Sequence, residues 1–304
     1  EVPAGIDLDG ALGRLRGALA DASLDYNHLY RWDDANAEAA EAPAVESAAD
    51  ISPDDSRLRI GVIDSAVQAD HRALRDVRVE ARDFVSHDAK RPETHGTAVA
   101  SLVARSAGND VVVYSASVFF ELEGYAPGAS TEGLVAALDW LAGLQVDVIN
   151  MSLSGPGNDL LEAAIEAVLA RGQTVVAAVG NEGPSSPPRY PAAYDGVIGV
   201  TAVDRKERVF RAANRGEQVD FAALGVDVKV ADSTSGSYRL ASGTSMASPH
   251  IAVVAARLLR EGGVTRDALE SWLIAGAEDL GRRGFDPVYG HGLVTRVPMV
   301  AASD

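Results

Sequence analysis

Three side chains in this sequence have the types that nucleophilic catalysis needs, and each stands at the end of a strand or the start of a helix. Asp64 closes the apolar run Leu58–Asp64, and His95 opens the helical stretch that begins Thr94-His95-Gly96-Thr97. Ser245 sits in Ser242-Gly243-Thr244-Ser245-Met246-Ala247-Ser248-Pro249-His250, a glycine-led turn that runs into a long apolar helix. A serine hydroxyl is a weak nucleophile until a base takes its proton, and an imidazole needs a carboxylate to fix its tautomer. Pro249 is tolerated in a first helical turn, whose amides have no intrahelical acceptor. Ser245 at that terminus therefore has a backbone amide and the helix dipole beside it, which favours a developing oxyanion. Taken singly, an Asp at a strand end is commonly a turn residue, a Ser before a helix an N-cap, and a His beside Gly-Thr structural. Together they point to acyl transfer.

The elements that must hold these residues follow from periodicity. Apolar, β-branched runs predict strands over 58–64, 111–120, 146–153, 174–180 and 197–203. Helical stretches are expected near 95–105, 131–143 and 159–171, then over 244–260 and 265–276, with turns from Gly281 to Gly292. Strands alternating with helices of this length imply βαβ crossovers. The fold class expected is α/β, a three-layer open, mostly parallel sheet with helices on both faces, spanning residues 58–304. In such sheets chemistry collects at the carboxyl ends of the strands, where Asp64 is expected.

Residues 1–57 read differently, as an N-terminal extension. Leu12, Leu15 and Leu19 follow helical spacing behind Asp7 or Asp9, and Tyr26-Asn27-His28-Leu29-Tyr30-Arg31-Trp32 packs three of the chain's aromatics into seven residues. The stretch Asp33–Asp50 is mostly Ala, Glu and Asp and reads as a solvated linker. The extension is expected to lie against the main domain. The alternatives are an anchor, an arm that docks on a protein partner, or the remnant of a pro-segment.

Composition excludes several classes. The 304 residues are 47% hydrophobic and 23% charged, enough for a full core. There is no cysteine, which removes disulfides, thiolate nucleophiles and cysteine-ligated zinc. A formal charge of -17, from 44 acids against 27 bases, argues against nucleic acid or an anionic membrane as the main partner. No apolar run approaches the roughly eighteen residues of a membrane span. His28, His71, His87 and His291 form no HExxH pair, and His250 belongs to the serine motif's own helix, so metal catalysis has no support and no metal site is assigned. The GxSxG elbow and the chain order Ser, acid, His of α/β-hydrolase esterases are both missing.

From about residue 57 to the end the chain resembles the subtilisin-like serine proteases. The resemblance rests on Gly61-Val62-Ile63-Asp64-Ser65, Thr94-His95-Gly96-Thr97 and Gly243-Thr244-Ser245-Met246-Ala247-Ser248-Pro249. Val148-Ile149-Asn150-Met151-Ser152-Leu153-Ser154-Gly155-Pro156, Ala178-Val179-Gly180-Asn181-Glu182-Gly183, Tyr190-Pro191-Ala192, Val197-Ile198-Gly199-Val200 and Tyr289-Gly290-His291-Gly292 add to it in the same order. It implies a serine endopeptidase with Ser245 as nucleophile, His95 as general base and then acid, and Asp64 orienting His95. Asn181 resembles the family's oxyanion-hole asparagine. Ser152, Leu153, Ser154 and Gly155 resemble the segment that lines the primary specificity pocket and pairs with an extended polypeptide substrate, with Ala178, Val179 and Gly180 as another wall.

The sequence also departs from the family pattern. Ala66 and Val253 stand where glycine is usual. Arg189 falls near the base of the primary pocket: pointing inward it favours an acidic or small side chain before the scissile bond, and turned outward it is a solvated surface charge. The chemistry implied needs no cofactor. Relatives often bind structural calcium, but no ligand set is identifiable here, and the extension is shorter than the family's folded inhibitory pro-domain, so inhibition is not assigned to it. The functional alternative is a catalytically weak peptide-binding homologue whose N-terminal arm docks on a partner. By family analogy the location expected is the bacterial periplasm or outside the cell.

Overall fold

The computed structural model describes residues 8–18, 25–32, 56–85, 89–122 and 125–295. In chain order the elements are α1 (Leu8–Ala18), β1 (Leu29–Trp32), β2 (Leu58–Asp64), β3 (Arg78–Asp83), α2 (Thr94–Ala107), β4 (Val111–Ser117), β5 (Phe119–Leu122), β6 (Tyr125–Ser130) and α3 (Thr131–Leu144). There follow β7 (Val148–Met151), β8 (Leu153–Ser154), α4 (Asp159–Ala170), β9 (Thr174–Ala178), β10 (Ile198–Val203), β11 (Phe221–Leu224), β12 (Val228–Asp232), β13 (Ser237–Ala241), α5 (Ser248–Arg260) and α6 (Arg266–Gly276).

Seven strands form the central sheet in the order β11-β10-β9-β7-β2-β4-β3. Every neighbouring pair is parallel, as βαβ crossovers require. Alternate side chains divide between the faces. Ile60, Val62, Val113, Val148 and Val176 join the core that contains Val99 and Leu102 of α2 and Ile251 and Val254 of α5. Ile63, Val112, Tyr114, Ile149 and Val175 join the other core with Leu134, Leu138 and Leu141 of α3 and Leu161 and Ile165 of α4. Two buried faces make the strands read as continuous apolar runs, so the three-layer α/β architecture expected from the sequence is the one observed. Gly61 shows how close the layers lie: a Cβ there would stand 2.8 Å from Leu141 Cδ1. Val253 is buried in the α2/α5 core and needs no glycine-sized gap.

Three expected elements are broken, and the breaks shape the site: the expected strand over 146–153 divides at Ser152 into β7 of the central sheet and β8 of a second sheet. The expected strand over 111–120 ends at Ser117, where the Val118 N–H makes the last ladder bond to the Asp64 carbonyl (2.9 Å). The chain then leaves the sheet as β5, which joins β6, β1 and β8 in a second, antiparallel sheet of order β5-β6-β1-β8. The expected helix over 244–260 opens as a 3₁₀ turn over Thr244–Met246 before α5 begins at Ser248. Pro249 has no N–H to donate to the Ser245 carbonyl four residues back. That carbonyl accepts from Ser152 Oγ instead (3.1 Å).

The far end of the sheet carries a strained carboxylate. Asp220, just before β11, accepts from the Gly199 N–H (2.6 Å), and burial, opposed by that bond and reinforced by Glu270, pushes its carboxyl from 3.8 up to about 7. From about pH 4 to pH 7 the unfolded chain has released this proton while the folded chain keeps it, so stability falls as pH rises through that window and then levels off. Asp220→Asn keeps an acceptor for Gly199 and abolishes the titration. Its thermal unfolding should match the parent near pH 4 and gain roughly 1–3 kcal/mol at pH 8, a figure discounted for the partly exposed edge of the group.

Candidate active site

The tip of β2 and the start of α2 are held together by unusually close backbone approach. The Ser65 N–H donates to Asp64 Oδ1 (2.6 Å), and Ser65 Oγ accepts from the Gly96 N–H (2.7 Å). The Ala66 N–H donates to the Pro92 carbonyl (3.0 Å), and the Gln68 N–H to Thr97 Oγ1 (2.9 Å). A side chain on Gly96 would drive into the Ser65 and Ala66 carbonyls, so only glycine lets the helix settle on the strand end. His95 is thereby placed with Nδ1 2.8 and 2.9 Å from the two oxygens of Asp64, both residues fully buried. A carboxylate there holds the proton on Nδ1 and leaves Nε2 as the basic atom. Ala66 is not among the positive-φ residues, so its methyl group meets no glycine-only conformation.

Ser245 lies in the 3₁₀ turn against β8. Its hydroxyl donates to the Ser152 carbonyl (3.1 Å), while Ser152 Oγ donates to the Ser245 carbonyl and accepts from Asn150 Nδ2 (2.8 Å). This reciprocal clamp fixes the serine turn to the strand that opens at Leu153. Asn181 is tied to the same turn, its Oδ1 accepting from the Thr244 N–H (3.1 Å). An amide whose oxygen is engaged in this way has its NH₂ on the other branch of the side chain. The preceding strand, through Ala178 and Val179, is buried, and Gly180 takes φ +101° with its N–H on Thr244 Oγ1 (3.3 Å). A side chain at Gly180 would meet Asn214.

Arg189 is half-buried, with Nη2 3.0 Å from Glu182 Oε1 and Nε enclosed. Its neighbour Tyr190 exchanges two backbone bonds with Gly155 (2.9 and 3.0 Å), whereas Glu182 adjoins Asn181. The guanidinium therefore braces the segment between β9 and β10 internally, and the Tyr190 backbone ties that segment to the one after β8. Among the described residues no group of three or more His, Asp or Glu side chains is placed to hold a metal ion. His87 and the acidic stretch Asp33–Asp50 lie outside the described residues.

Sequence reasoning missed what fills the cleft. β1 runs between β6 and β8, antiparallel to both, with Tyr30 opposite Ala129, Arg31 opposite Ser154 and Trp32 opposite Leu153. Trp32 stacks on the imidazole of His95, the ring centroids 5.3 Å apart and the planes within 3° of parallel, and its other neighbour is Phe119 at 4.9 Å. Tyr30 is fully buried with its ring against Gly155 and its hydroxyl donating to the Pro156 carbonyl (3.0 Å). Two helix N-termini anchor the segment: Asn27 Oδ1 accepts from the Glu132 N–H of α3 (3.2 Å), and Asp25 Oδ2 from the Asp159 N–H of α4 (2.9 Å). Residues 25–32 thus lie against the main domain, and α1 is joined to them by Tyr26 to Asp9 and Arg16 to Asp25. The signal for β1 was a four-residue alternation rich in strand formers. Nothing local named its partners.

Comparison with known proteins gives this geometry a setting. The family profile described as "Subtilase family" matches residues 55–292. Subtilisin DY of Bacillus licheniformis is 34% identical over 250 residues, covering 79% of this chain and 89% of that protein. Subtilisin E of Bacillus subtilis (strain 168) is 33% identical over 255 residues, covering 79% and 64%. Among solved structures, a lanthipeptide protease superposes with a TM-score of 0.67 at 21% identity over 78% of this chain and 85% of that one, a likeness of fold.

Because Gly96 carries the Asp64–His95 contact, Gly96→Ala is expected to separate the two. Reaction with a fluorophosphonate should slow by a hundred-fold or more, on the order of what misplacing a reacting group costs. Thermal unfolding should show a loss of roughly 1–3 kcal/mol from overpacking.

Proposed function

The chain belongs to the subtilase family and is a serine endopeptidase, and we propose that it hydrolyses peptide bonds through an acyl-enzyme on Ser245. The observation that carries this is the buried Asp64–His95 pair at the tip of β2, together with the Ser245 turn clamped to Ser152. Ser245 Oγ attacks the scissile carbonyl carbon as His95 Nε2 takes its proton, and Asp64 stabilises the imidazolium. The oxyanion is received by the Ser245 N–H and the Asn181 side-chain NH₂. When the C–N bond breaks, His95 returns the proton to the leaving amine. Water then repeats the sequence on the acyl-enzyme, releasing the acid and restoring the serine. Every proton moves between these groups, so the mechanism calls for no cofactor.

The polypeptide substrate lies antiparallel along Ser152, Leu153, Ser154 and Gly155, with Ala178, Val179 and Gly180 as the facing wall of the first pocket and Arg189 across it. The periplasm or the exterior of a bacterial cell is the location we propose, on family analogy. A second reading, a peptide-binding homologue with little turnover, is favoured by one observation: His95 and Ser245 are fully buried in a cleft already filled by β1. The two readings separate by intact mass after fluorophosphonate treatment of the parent chain and of a Tyr30→Ser/Trp32→Ser variant that unseats β1. The endopeptidase gives one adduct on Ser245, faster in the variant, and none once Ser245→Ala is introduced. A folded variant without any adduct overturns the catalytic reading. Asn181→Ala should lower kcat by roughly 10²–10³-fold with little change in KM, because its donor is used most in the transition state.

A further inference from the structure

β1 occupies the cleft in the manner of a bound peptide, and its register identifies the bond such a peptide presents. Arg31 lies opposite Ser154 and Trp32 opposite Leu153. In an antiparallel pair each step forward on one strand is a step back on the other. The next residue of a peptide in this register therefore falls opposite Ser152, whose carbonyl oxygen holds the Ser245 hydroxyl at 3.1 Å. The carbonyl of that residue is the one presented to the nucleophile. In this chain the residue that follows Trp32 is Asp33.

The side chains of β1 are sorted as a recognition sequence is. Alternate residues face the protein, Tyr30 fully buried and Trp32 half-buried, while Leu29 and Arg31 are exposed. The Tyr30 pocket ends at Gly155, which has no side chain to obstruct the ring, and at the Pro156 carbonyl, which takes the phenol hydroxyl. The Trp32 site is the face of His95 itself. A residue one step on turns its side chain away from His95, towards the space between Ser152–Gly155 and Ala178–Gly180. Arg189 is tied to both sides of it, its neighbour Tyr190 pairing with Gly155 and its Nη2 reaching Glu182 beside Asn181, and a guanidinium so held can also pair with a carboxylate.

Resting on the endopeptidase reading of the site, we propose that this protease takes polypeptides with an aromatic residue at the fourth and second positions before the cut bond and an aspartate immediately before it. Tyr30-Arg31-Trp32 is the chain's own copy of that sequence, held in cis, and it competes with any peptide arriving from solution. Cleavage adds water across the peptide bond after the aspartate, giving an acid and an amine by the steps above.

The test uses the full chain with Tyr30→Ser/Trp32→Ser, and four peptides that release an aminocoumarin: acetyl-Tyr-Arg-Trp-Asp, and versions with Ala at the fourth position, Ala at the second, or Lys at the first. Each change should lower kcat/KM about ten-fold or more, the scale at which one filled pocket discriminates. The parent chain should turn over the first peptide at least about ten-fold more slowly than the variant, and Arg189→Ser in the variant background should bring the ratio of Asp to Lys peptide towards one. Should the double variant fail to fold, Trp32→Ser alone carries the same panel. Even hydrolysis of all four peptides, or preference for Lys, with a normal Ser245 adduct overturns the substrate assignment and leaves the peptidase standing. No hydrolysis and no adduct in a folded variant overturns both.

Discussion

The structure depends on a contact between two backbones: the first turn of α2 resting on the strand end at Ser65, with Gly96 the residue that permits it. Burying a carboxylate is costly unless its oxygens are met by donors. Here the chain's own turn supplies one, the Ser65 N–H, and the approach of the helix supplies the other, the His95 ring. The seven-stranded sheet and its two layers of helices serve to hold β2 and α2 at that distance. A core of this density resists the few tenths of an ångström by which the pair could drift.

A second constraint comes from Pro249. By withholding one helical hydrogen bond it leaves the Ser245 carbonyl open, and Ser152 takes it. The helix consequently begins at Ser248, and the serine turn is tied sideways to the strand along which a peptide must lie rather than only to its own helix. Nucleophile and peptide-binding edge are therefore positioned by one pair of hydrogen bonds. Asn181, whose Oδ1 accepts from the Thr244 N–H just before the serine, is registered to the same frame.

Much of this was legible because its signals are local. The strand runs are apolar on both faces, α3 and α4 begin at Ser130 and Asn158, whose side chains cap them, and the motif residues carry their own turns. What stayed illegible is settled at long range. The hydrogen bond that seats Tyr30 joins residues 126 apart in sequence, and no periodicity in Leu-Tyr-Arg-Trp could choose between lying on the surface and entering a cleft. The short strands β3 and β6 were missed for the same reason: polar or glycine-containing stretches become strands only when a neighbour supplies the ladder. The 3₁₀ turn before α5 was half-legible, since Pro249 announced a missing bond but not what would replace it. Arg189 left its direction open in sequence because its ion pair with Glu182 depends on how the irregular segment between β9 and β10 folds back on itself.

The arrangement of bonds also says how a filled cleft can open. The contacts that set the catalytic geometry run among residues 64–68, 92–97, 150–152, 180–181 and 244–245. Those that hold β1 and the residues leading into it are two antiparallel ladders, the buried Tyr30 ring with its hydroxyl on the Pro156 carbonyl, the Trp32 stack on His95, and backbone and side-chain bonds at the N-termini of α3 and α4. Leu29 and Arg31 face solvent and add little burial. These contacts belong to one short strand, whereas the sheet beneath it is covered by helices on both faces. Departure of β1 uncovers the His95 face on which Trp32 stacks and breaks none of the hydrogen bonds that join Asp64 to His95 or Ser152 to Ser245, and its free energy is the term a peptide from solution must exceed to take its place.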